Sequence, residues 1–234
     1  MKQLKKLALA LVIASVSLGA SAERVSLSPY VQHYSEWNTS ENPRLEYWCA
    51  HAALKMFVKY KMGQTYSLNY IRWNVFPGSS GYNSNRCPYA SNSSPRLSTD
   101  GFCGNINDIL YGAKQLGISS VFMKNVPQVV SGKPNYQGVL DAIKMGTKDR
   151  KSPLIVFGDF EVLNPSPSYG HAWVIVGYNT DGATNPKDAY VFLRNSGRTS
   201  TDPEMDDWVK VERFYTMMQH SHSATNPNFN FVMY

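Results

Sequence analysis

The hydrophobic period of the chain changes near residue 146, and this change limits the fold more than any other feature of the sequence. Before it, apolar residues recur at three- and four-residue intervals, which is helical spacing. After it, short segments rich in β-branched and aromatic residues are separated by turn residues. Helices followed by strands are typical of an α+β domain. We expect two lobes, a helical lobe over about residues 23–130 and a β lobe over about residues 131–234.

Four helices and five later strands are predicted from these patterns. The helices are residues 45–62, 68–76, 105–116 and 139–146. We expect Gly63 and Gly117 to end the first and third helices, because glycine readily adopts the left-handed conformation that follows a helix. Gly146 is expected to end the fourth helix. The strands are residues 154–157, 172–178, 189–193, 209–215 and 229–234.

The first 22 residues, 1–22, have the composition of a secretory signal peptide. Three lysines give a positive start, residues 7–16 are apolar, and Ala20-Ser21-Ala22 fits a small-residue cleavage site. The apolar run is too short to span a bilayer, so no stable membrane anchor is expected. The mature chain, residues 23–234, is predicted to be exported to the periplasm or secreted, into a compartment where disulfides persist.

The positive charge of the whole chain does not point to nucleic acid. The formal net charge of +6 includes the three lysines of the predicted signal peptide, and the mature part contains no run of Lys or Arg. Proteins that bind nucleic acid carry their basic residues in clusters or stripes. We therefore expect no nucleic-acid partner.

Three cysteines are an odd number for an exported protein. Cys87 and Cys103 flank a stretch rich in Ser, Asn, Gly and Pro, which is predicted to be a long surface loop tied by a disulfide between them. Cys49 remains, near the start of the first predicted helix, where unpaired backbone N–H groups and the helix dipole stabilise a thiolate. Cys49 is therefore a candidate nucleophile, and a buried structural cysteine is the alternative.

Two further residues could complete a catalytic set with Cys49. His171 stands at the start of a strongly apolar predicted strand, where a polar side chain needs a partner, and a merely hydrogen-bonded histidine is the alternative. Asn195 ends the following strand, and by itself it would be an ordinary turn residue. In this chain order the three residues fit the nucleophile, base and orienting residue of a thiol hydrolase.

The segments around these residues resemble those of papain-like cysteine peptidases, and within them those of bacterial staphopain-like or double-glycine-peptidase-like members. Gly170-His171-Ala172 leads into an apolar strand ending in Gly-Tyr, which is similar to the family's histidine segment. Asn195-Ser196 is similar to the asparagine segment, and Trp48-Cys49-Ala50 to the nucleophile segment of the bacterial staphopains. The intervals along the chain are close to the ~130–150 residues expected. The resemblance implies the papain-like two-lobed fold, with Cys49, His171 and Asn195 as catalytic residues.

The chain departs from the family pattern at two places. The family's oxyanion-hole glutamine is expected where Pro43 stands, and proline has neither a side-chain donor nor a backbone N–H. Asn42 is the nearest amide, so Asn42 and the Cys49 backbone are the expected oxyanion donors. In addition, no Trp follows Asn195-Ser196-Gly197, where the family has one that shields the bond between histidine and asparagine.

We therefore expect an exported thiol hydrolase that cleaves peptide bonds. Residues 101–105 are similar to the family's substrate-binding loop, which implies Gly104, Asn105 and Gly170 as substrate-binding residues. The expected partner is a peptide or protein substrate, with cell-wall peptide included. A separate inhibitor protein is also expected, because little sequence precedes Cys49 to form an inhibitory pro-segment. No metal and no organic cofactor is implied.

Two other function classes remain open. One is a peptidoglycan amidase, endopeptidase or toxin, because these enzymes use the same chemistry on similar folds. The other is an inactive papain-like binding module, which the missing glutamine would explain. Among other histidines, His51 is predicted to face solvent or to pack between the lobes. His220 and His222 could share a metal on a strand, but no nearby cluster of Cys or carboxylates supports such a site.

Overall fold

An antiparallel sheet of seven strands lies at the centre of the part of the chain that the structure describes. The structure is a computed structural model, and it describes residues 23–27, 49–75, 106–159, 170–195, 207–221 and 227–234. The strands are β1 (Arg24–Ser26), β2 (Phe122–Pro127), β3 (Val129–Val130), β4 (Lys133–Pro134), β5 (Leu154–Asp159), β6 (Gly170–Asn179), β7 (Tyr190–Asn195), β8 (Asp207–Lys210) and β9 (Asn228–Met233). The order in the sheet is β2-β9-β5-β6-β7-β8, with β1 paired to β6, while β3 and β4 form a separate pair. The α+β class is confirmed.

Five α-helices accompany these strands within the described residues. They are α1 (Cys49–Met62), α2 (Leu68–Tyr70), α3 (Ile106–Gln115), α4 (Tyr136–Lys144) and α5 (Val211–Ser221). Single π-helical turns at Ile71–Val75 and Met145–Asp149 continue α2 and α4, and a 3-10 turn covers Pro186–Asp188. None of the helices described here has both the length and the apolar character needed to cross a membrane.

Glycine ends the first and third helices, as predicted. Gly63 and Gly117 follow α1 and α3 with φ of 69° and 96°, a conformation that costs residues with a side chain more than it costs glycine. The N–H of Gly63 bonds to the carbonyl of Lys59 at 2.9 Å, which satisfies one of the last carbonyls of α1. These glycines therefore fix where the two helices stop.

Gly146 does not end the fourth helix, so that prediction is wrong. It lies inside the π-helical turn that extends α4 to Asp149. A Cβ atom at Gly146 would lie 2.7 Å from Cγ of Leu154. The glycine is therefore needed for the close approach of this turn to β5, and it does not cap the helix.

The predicted strand over residues 209–215 is also wrong for most of its length. The chain forms β8 only as far as Lys210 and then turns into α5 at Val211. Val211, Phe214 and Met218 are buried, and their three- and four-residue spacing is that of a helix face. Because Val, Phe and Tyr also favour strands, the short apolar run gave a misleading β signal. The other four predicted strands are confirmed within two residues at either end.

Helices cover both faces of the sheet. On one face, α1 and α3 pack against Ile155, Ala172, Val174 and Val176. On the other face, α4 and α5 pack against Leu154, Val156, Trp173 and Ile175. Successive residues of β5 and β6 thus point to opposite cores, as the two-residue period of a strand requires.

The sheet contains strands from both predicted lobes, residues 23–130 and residues 131–234. β1 pairs with β6 through Ser26 and Gly177, and β2 pairs along its whole length with β9. Neither β1 nor β2 was predicted from the sequence. The division into a helical lobe and a β lobe near residue 130 stays a prediction.

Candidate active site

Cys49 is the first residue of α1 and is a free cysteine in the structure. At the first turn of a helix the backbone N–H groups have no partner within the helix, and the helix dipole is positive there. The remainder of α1 is anchored in the core, since Ala53, Leu54 and Phe57 are completely buried. The cysteine therefore stands at the fixed end of a rigid helix.

The thiol of Cys49 lies against β6. Burial is the largest influence on its pKa and raises it, because the charged thiolate loses contact with water. Hydrogen bonding from the backbone of Ala172, then of Ala50 and of Cys49 itself, acts in the opposite direction and lowers the pKa. The N–H of Ala172 belongs to the peptide bond that joins it to His171. The sulfur of Cys49 is thus held beside the backbone of the candidate base.

His171 is the second residue of β6 and is half-buried. It pairs with Gly158 of β5 in the sheet. Its imidazole ring lies edge-to-face on the indole of Trp173, with ring centroids 4.9 Å apart and an angle of 74° between the planes. The histidine is therefore located at the end of the strand that approaches Cys49, and an aromatic side chain lies against it.

Asn195 is the last residue of β7, and its backbone pairs with that of Trp173. His171 stands two residues before Trp173 on β6. The backbone of Asn195 on β7 is therefore offset from His171 by two residues along the sheet. The position of its side chain lies outside what the structure describes. Gly170 begins β6 beside His171 and pairs with Asp159.

Several predicted site residues lie outside the described residues. These are the oxyanion candidate Asn42, the substrate-binding candidates Gly104 and Asn105, and the predicted disulfide partners Cys87 and Cys103. Their roles stay predictions. The structure brings the Cys49 sulfur to the backbone of Ala172, next to His171, and it places Asn195 on the adjacent strand. The His171 ring lies on the Trp173 face of β6, and α1 covers the opposite face.

His51 does not face solvent, so that alternative is wrong, and packing between the lobes stays a prediction. The side chain is 2% exposed, and Lys55, one turn further along α1, is 4% exposed. Asp108 of α3 is 1% exposed, and α1 and α3 pack together on the same face of the sheet. All three residues take part in polar, electrostatic or ring interactions, as buried polar side chains must.

His220 lies in helix α5 and not on a strand, so the strand geometry considered for a shared metal is wrong. His222 falls outside the described residues. Within the parts of the chain that the structure covers, no three His, Cys, Asp or Glu residues are grouped as metal ligands would be.

A shallow cavity of about 420 Å³ lies at the start of α4. It is lined by Val130, Lys133, Pro134, Asn135, Tyr136, Gln137, Asn185, Pro186 and Lys187. None of the candidate catalytic residues lines it, so this cavity is separate from the Cys49 site.

Trp173 is the site residue that the sequence reasoning missed. Its place inside a strongly apolar strand predicts only core packing, although it stands two residues after His171. Residues two apart on a strand share a face, so this spacing could have revealed the contact between the two rings.

A comparison with protein families gives a match over most of the chain. The model of the Peptidase_C39 like family matches residues 27–223. This range covers Cys49, His171 and Asn195 and most of the sheet. A comparison with curated protein sequences found no match.

Proposed function

Because this chain belongs to the Peptidase_C39 like family, a cysteine-peptidase type of function is supported, and we propose that it is an exported thiol hydrolase that cleaves peptide bonds. Cys49 is the nucleophile, His171 the general base and acid, and Asn195 the residue that orients His171. The observation that carries the proposal is the contact between the Cys49 sulfur and the backbone of Ala172, which is bonded to His171.

The first half of the reaction forms an acyl-enzyme. His171 takes the proton of the Cys49 thiol, and the thiolate attacks the carbonyl carbon of the scissile peptide bond. The carbonyl oxygen becomes an oxyanion, which the backbone N–H of Cys49 and the amide of Asn42 stabilise. The C–N bond then breaks as His171 gives its proton to the leaving amine, and a thioester remains on Cys49.

The second half releases the acyl group. His171, now neutral, removes a proton from a water molecule, and the resulting hydroxide attacks the thioester carbonyl. The C–S bond breaks, the carboxylic acid leaves, and the proton returns to the cysteine–histidine pair. Asn195 keeps the imidazole in the orientation that both halves need.

Cys49 can act as a nucleophile in these surroundings only if a cationic partner lowers the pKa of its thiol. Burial alone raises the pKa of the thiol, which would leave it protonated near neutral pH. The backbone of Ala172, Ala50 and Cys49 lowers the pKa, and an imidazolium at His171 would lower it further. The proposal therefore requires that Cys49 and His171 ionise as a pair.

Export is proposed from the signal-peptide composition of residues 1–22, and the residue that follows them is attached to the sheet. The N–H of Glu23 bonds to Oγ1 of Thr180 at 3.1 Å, and the N–H of Thr180 bonds to the carbonyl of Glu23 at 2.8 Å. The Glu23 carboxylate also lies 2.6 Å from the ammonium of Lys148. The first residue after the predicted cleavage site thus already has defined partners.

Turnover by residues 23–234 tests the proposal. We would incubate this protein, and its Cys49→Ala and Cys49→Ser variants, with an unfolded protein and separately with purified cell wall. An epoxide of the kind that papain accepts would report labelling of Cys49.

We expect turnover and labelling in the wild type and the loss of both in Cys49→Ala. Cleavage of cell wall alone would favour the peptidoglycan-cleaving class. Labelling of Cys49 without turnover on either substrate would favour the inactive module, and turnover that survives in Cys49→Ala would refute the mechanism.

A further inference from the structure

The indole of Trp173 restrains the imidazole of His171 from the same strand. The two rings meet edge-to-face, with centroids 4.9 Å apart, which is a preferred geometry for aromatic pairs. Trp173 is 0% exposed and belongs to the apolar cluster beneath α4 and α5. Because protein interiors are closely packed, the indole has little room to move away from the histidine.

Gly158 lies beside the indole. It lies directly opposite His171 in the pairing of β5 and β6. A Cβ atom at Gly158 would lie 3.4 Å from Cδ1 and 3.5 Å from Nε1 of Trp173. The pyrrole side of the indole therefore lies against the very residue that pairs with His171, and the tryptophan reaches across the two strands at this point.

β7 lies on the other side of β6 from β5. The backbone of Asn195 pairs with that of Trp173, so the residue predicted to orient the histidine lies at the register of the tryptophan. Trp173 is thus adjacent to both members of the predicted His–Asn pair along the sheet.

We infer that Trp173 is a positioning residue for His171, which fixes the plane of the imidazole ring and keeps water from that side of it. This inference rests on the proposed function, in which His171 transfers the proton. It assigns to a residue of β6 the shielding for which no tryptophan is found after Asn195. A base that rotates away from its working position slows the reaction, and a displacement of about 1 Å can cost roughly 10²-fold in rate.

The test compares two variants of Trp173 with a matched core variant. Trp173→Leu removes the ring but keeps an apolar side chain, whereas Trp173→Phe keeps an aromatic ring. Phe231→Leu is the control, because Phe231 is also 0% exposed and lies in the same apolar cluster.

We expect Trp173→Leu to lower kcat by roughly 10–10²-fold with KM nearly unchanged. Trp173→Phe should restore most of the turnover, because a phenyl ring still offers an edge-to-face partner. Phe231→Leu should keep the wild-type kcat. Equal losses in Trp173→Leu and Phe231→Leu would overturn the inference.

A second measurement does not depend on turnover. The rate at which iodoacetamide alkylates Cys49, followed against pH, reports how well His171 stabilises the thiolate. We expect the midpoint to move to higher pH in Trp173→Leu and to stay in place in Phe231→Leu. If the wild type cleaves no substrate and this shift still occurs, the positioning role stands and the proposed hydrolysis fails. If the wild type is active and the shift is absent, the positioning role is wrong.

A third measurement needs no variant and covers the case in which Trp173→Leu does not fold. Nuclear Overhauser contacts between the ring protons of His171 and Trp173 should be present in the wild-type protein. Their absence would overturn the inference.

Discussion

The sulfur of Cys49 and the backbone N–H of Ala172 meet where the first turn of α1 touches the start of β6. Ala172 is 0% exposed, and its small side chain lets α1 lie close to the strand. Val174 and Val176 continue the same contact along β6. The distance between the thiol and the His171 backbone is therefore set by core packing and not by a flexible loop.

Gly177→Ala should weaken the attachment of β1. A Cβ atom at this position would collide with the carbonyl oxygen of Val25 and would lie 3.1 Å from Cα of Ser26. Because both are backbone atoms of the paired strand, they cannot move away as a flexible side chain would. We expect a loss of about 1–3 kcal/mol in the free energy of unfolding, as for other overpacked sites.

Chemical denaturation measures this loss, and hydrogen exchange locates it. The amide of Leu27, which bonds to the carbonyl of Val176 at 2.7 Å, should exchange faster in Gly177→Ala. Gly158→Ala is the matched control, since a Cβ there would make contacts of 3.4 Å or more. Equal stability of the two variants would show that β1 does not pack on β6 as described.

Glu23→Gln should reduce the sensitivity of the fold to acid. The ammonium of Lys148, and then the hydroxyl of Tyr178, lowers the pKa of the Glu23 carboxyl below its ordinary value of 4.5. A depressed pKa stabilises the fold above the ordinary value, and this contribution is lost as the pH falls through the folded pKa. Wild type should therefore lose more stability than Glu23→Gln between pH 6 and values well below 4.5.

Urea unfolding at several pH values measures this difference. Glu212→Gln is the control, because it removes the same charge from a pair with Lys187 that is 3.9 Å long and largely exposed. Parallel pH profiles for wild type and Glu23→Gln would mean that the Glu23–Lys148 pair does not couple to folding.

The elements that the sequence predicted correctly are those with strong local signals. Gly63 and Gly117 end helices because their backbone conformation is local, and the apolar run of β6 is long enough to identify a buried strand. Helix α5 was missed because Val211 and Phe214 favour strands as single residues, although their spacing is helical. β1 was missed because three residues carry too little pattern.

Local signals also decide which features of the candidate site could be predicted from the sequence. Cys49, His171 and Asn195 could be proposed from residue type, order and spacing. The contact of Trp173 with His171 follows from the two-residue period of one strand. The proximity of Ala172 to the thiol depends on how α1 packs on β6, and sequence spacing does not specify that distance.

Peptide mapping without reduction tests the predicted redox pattern. We expect one disulfide between Cys87 and Cys103 and a free thiol at Cys49. Closing a loop of about 15 residues should stabilise the fold by about 3 kcal/mol in the chain-entropy model. A disulfide that includes Cys49 would refute both the pairing and the mechanism.

Asn42→Ala should slow turnover if Asn42 supplies the oxyanion donor. Loss of such a donor lowers kcat by roughly 10²–10³. Folding and the alkylation of Cys49 should be nearly unchanged, because the donor acts on the intermediate and not on the thiolate. Full turnover in this variant would place the donor elsewhere, with Gln32→Ala and Asn38→Ala as the next variants to test.

The pH dependence of Cys49 alkylation, compared between wild type and His171→Ala, tests the ionised pair most directly. Mass spectrometry would confirm that Cys49 is the residue modified. If the two residues ionise together, the wild-type thiol should react rapidly at neutral and mildly acidic pH. In His171→Ala, burial would dominate the pKa of the thiol, and the profile should move above the ordinary value of about 8.5. A wild-type profile that rises only near 8.5 and does not change in His171→Ala would contradict the proposed mechanism.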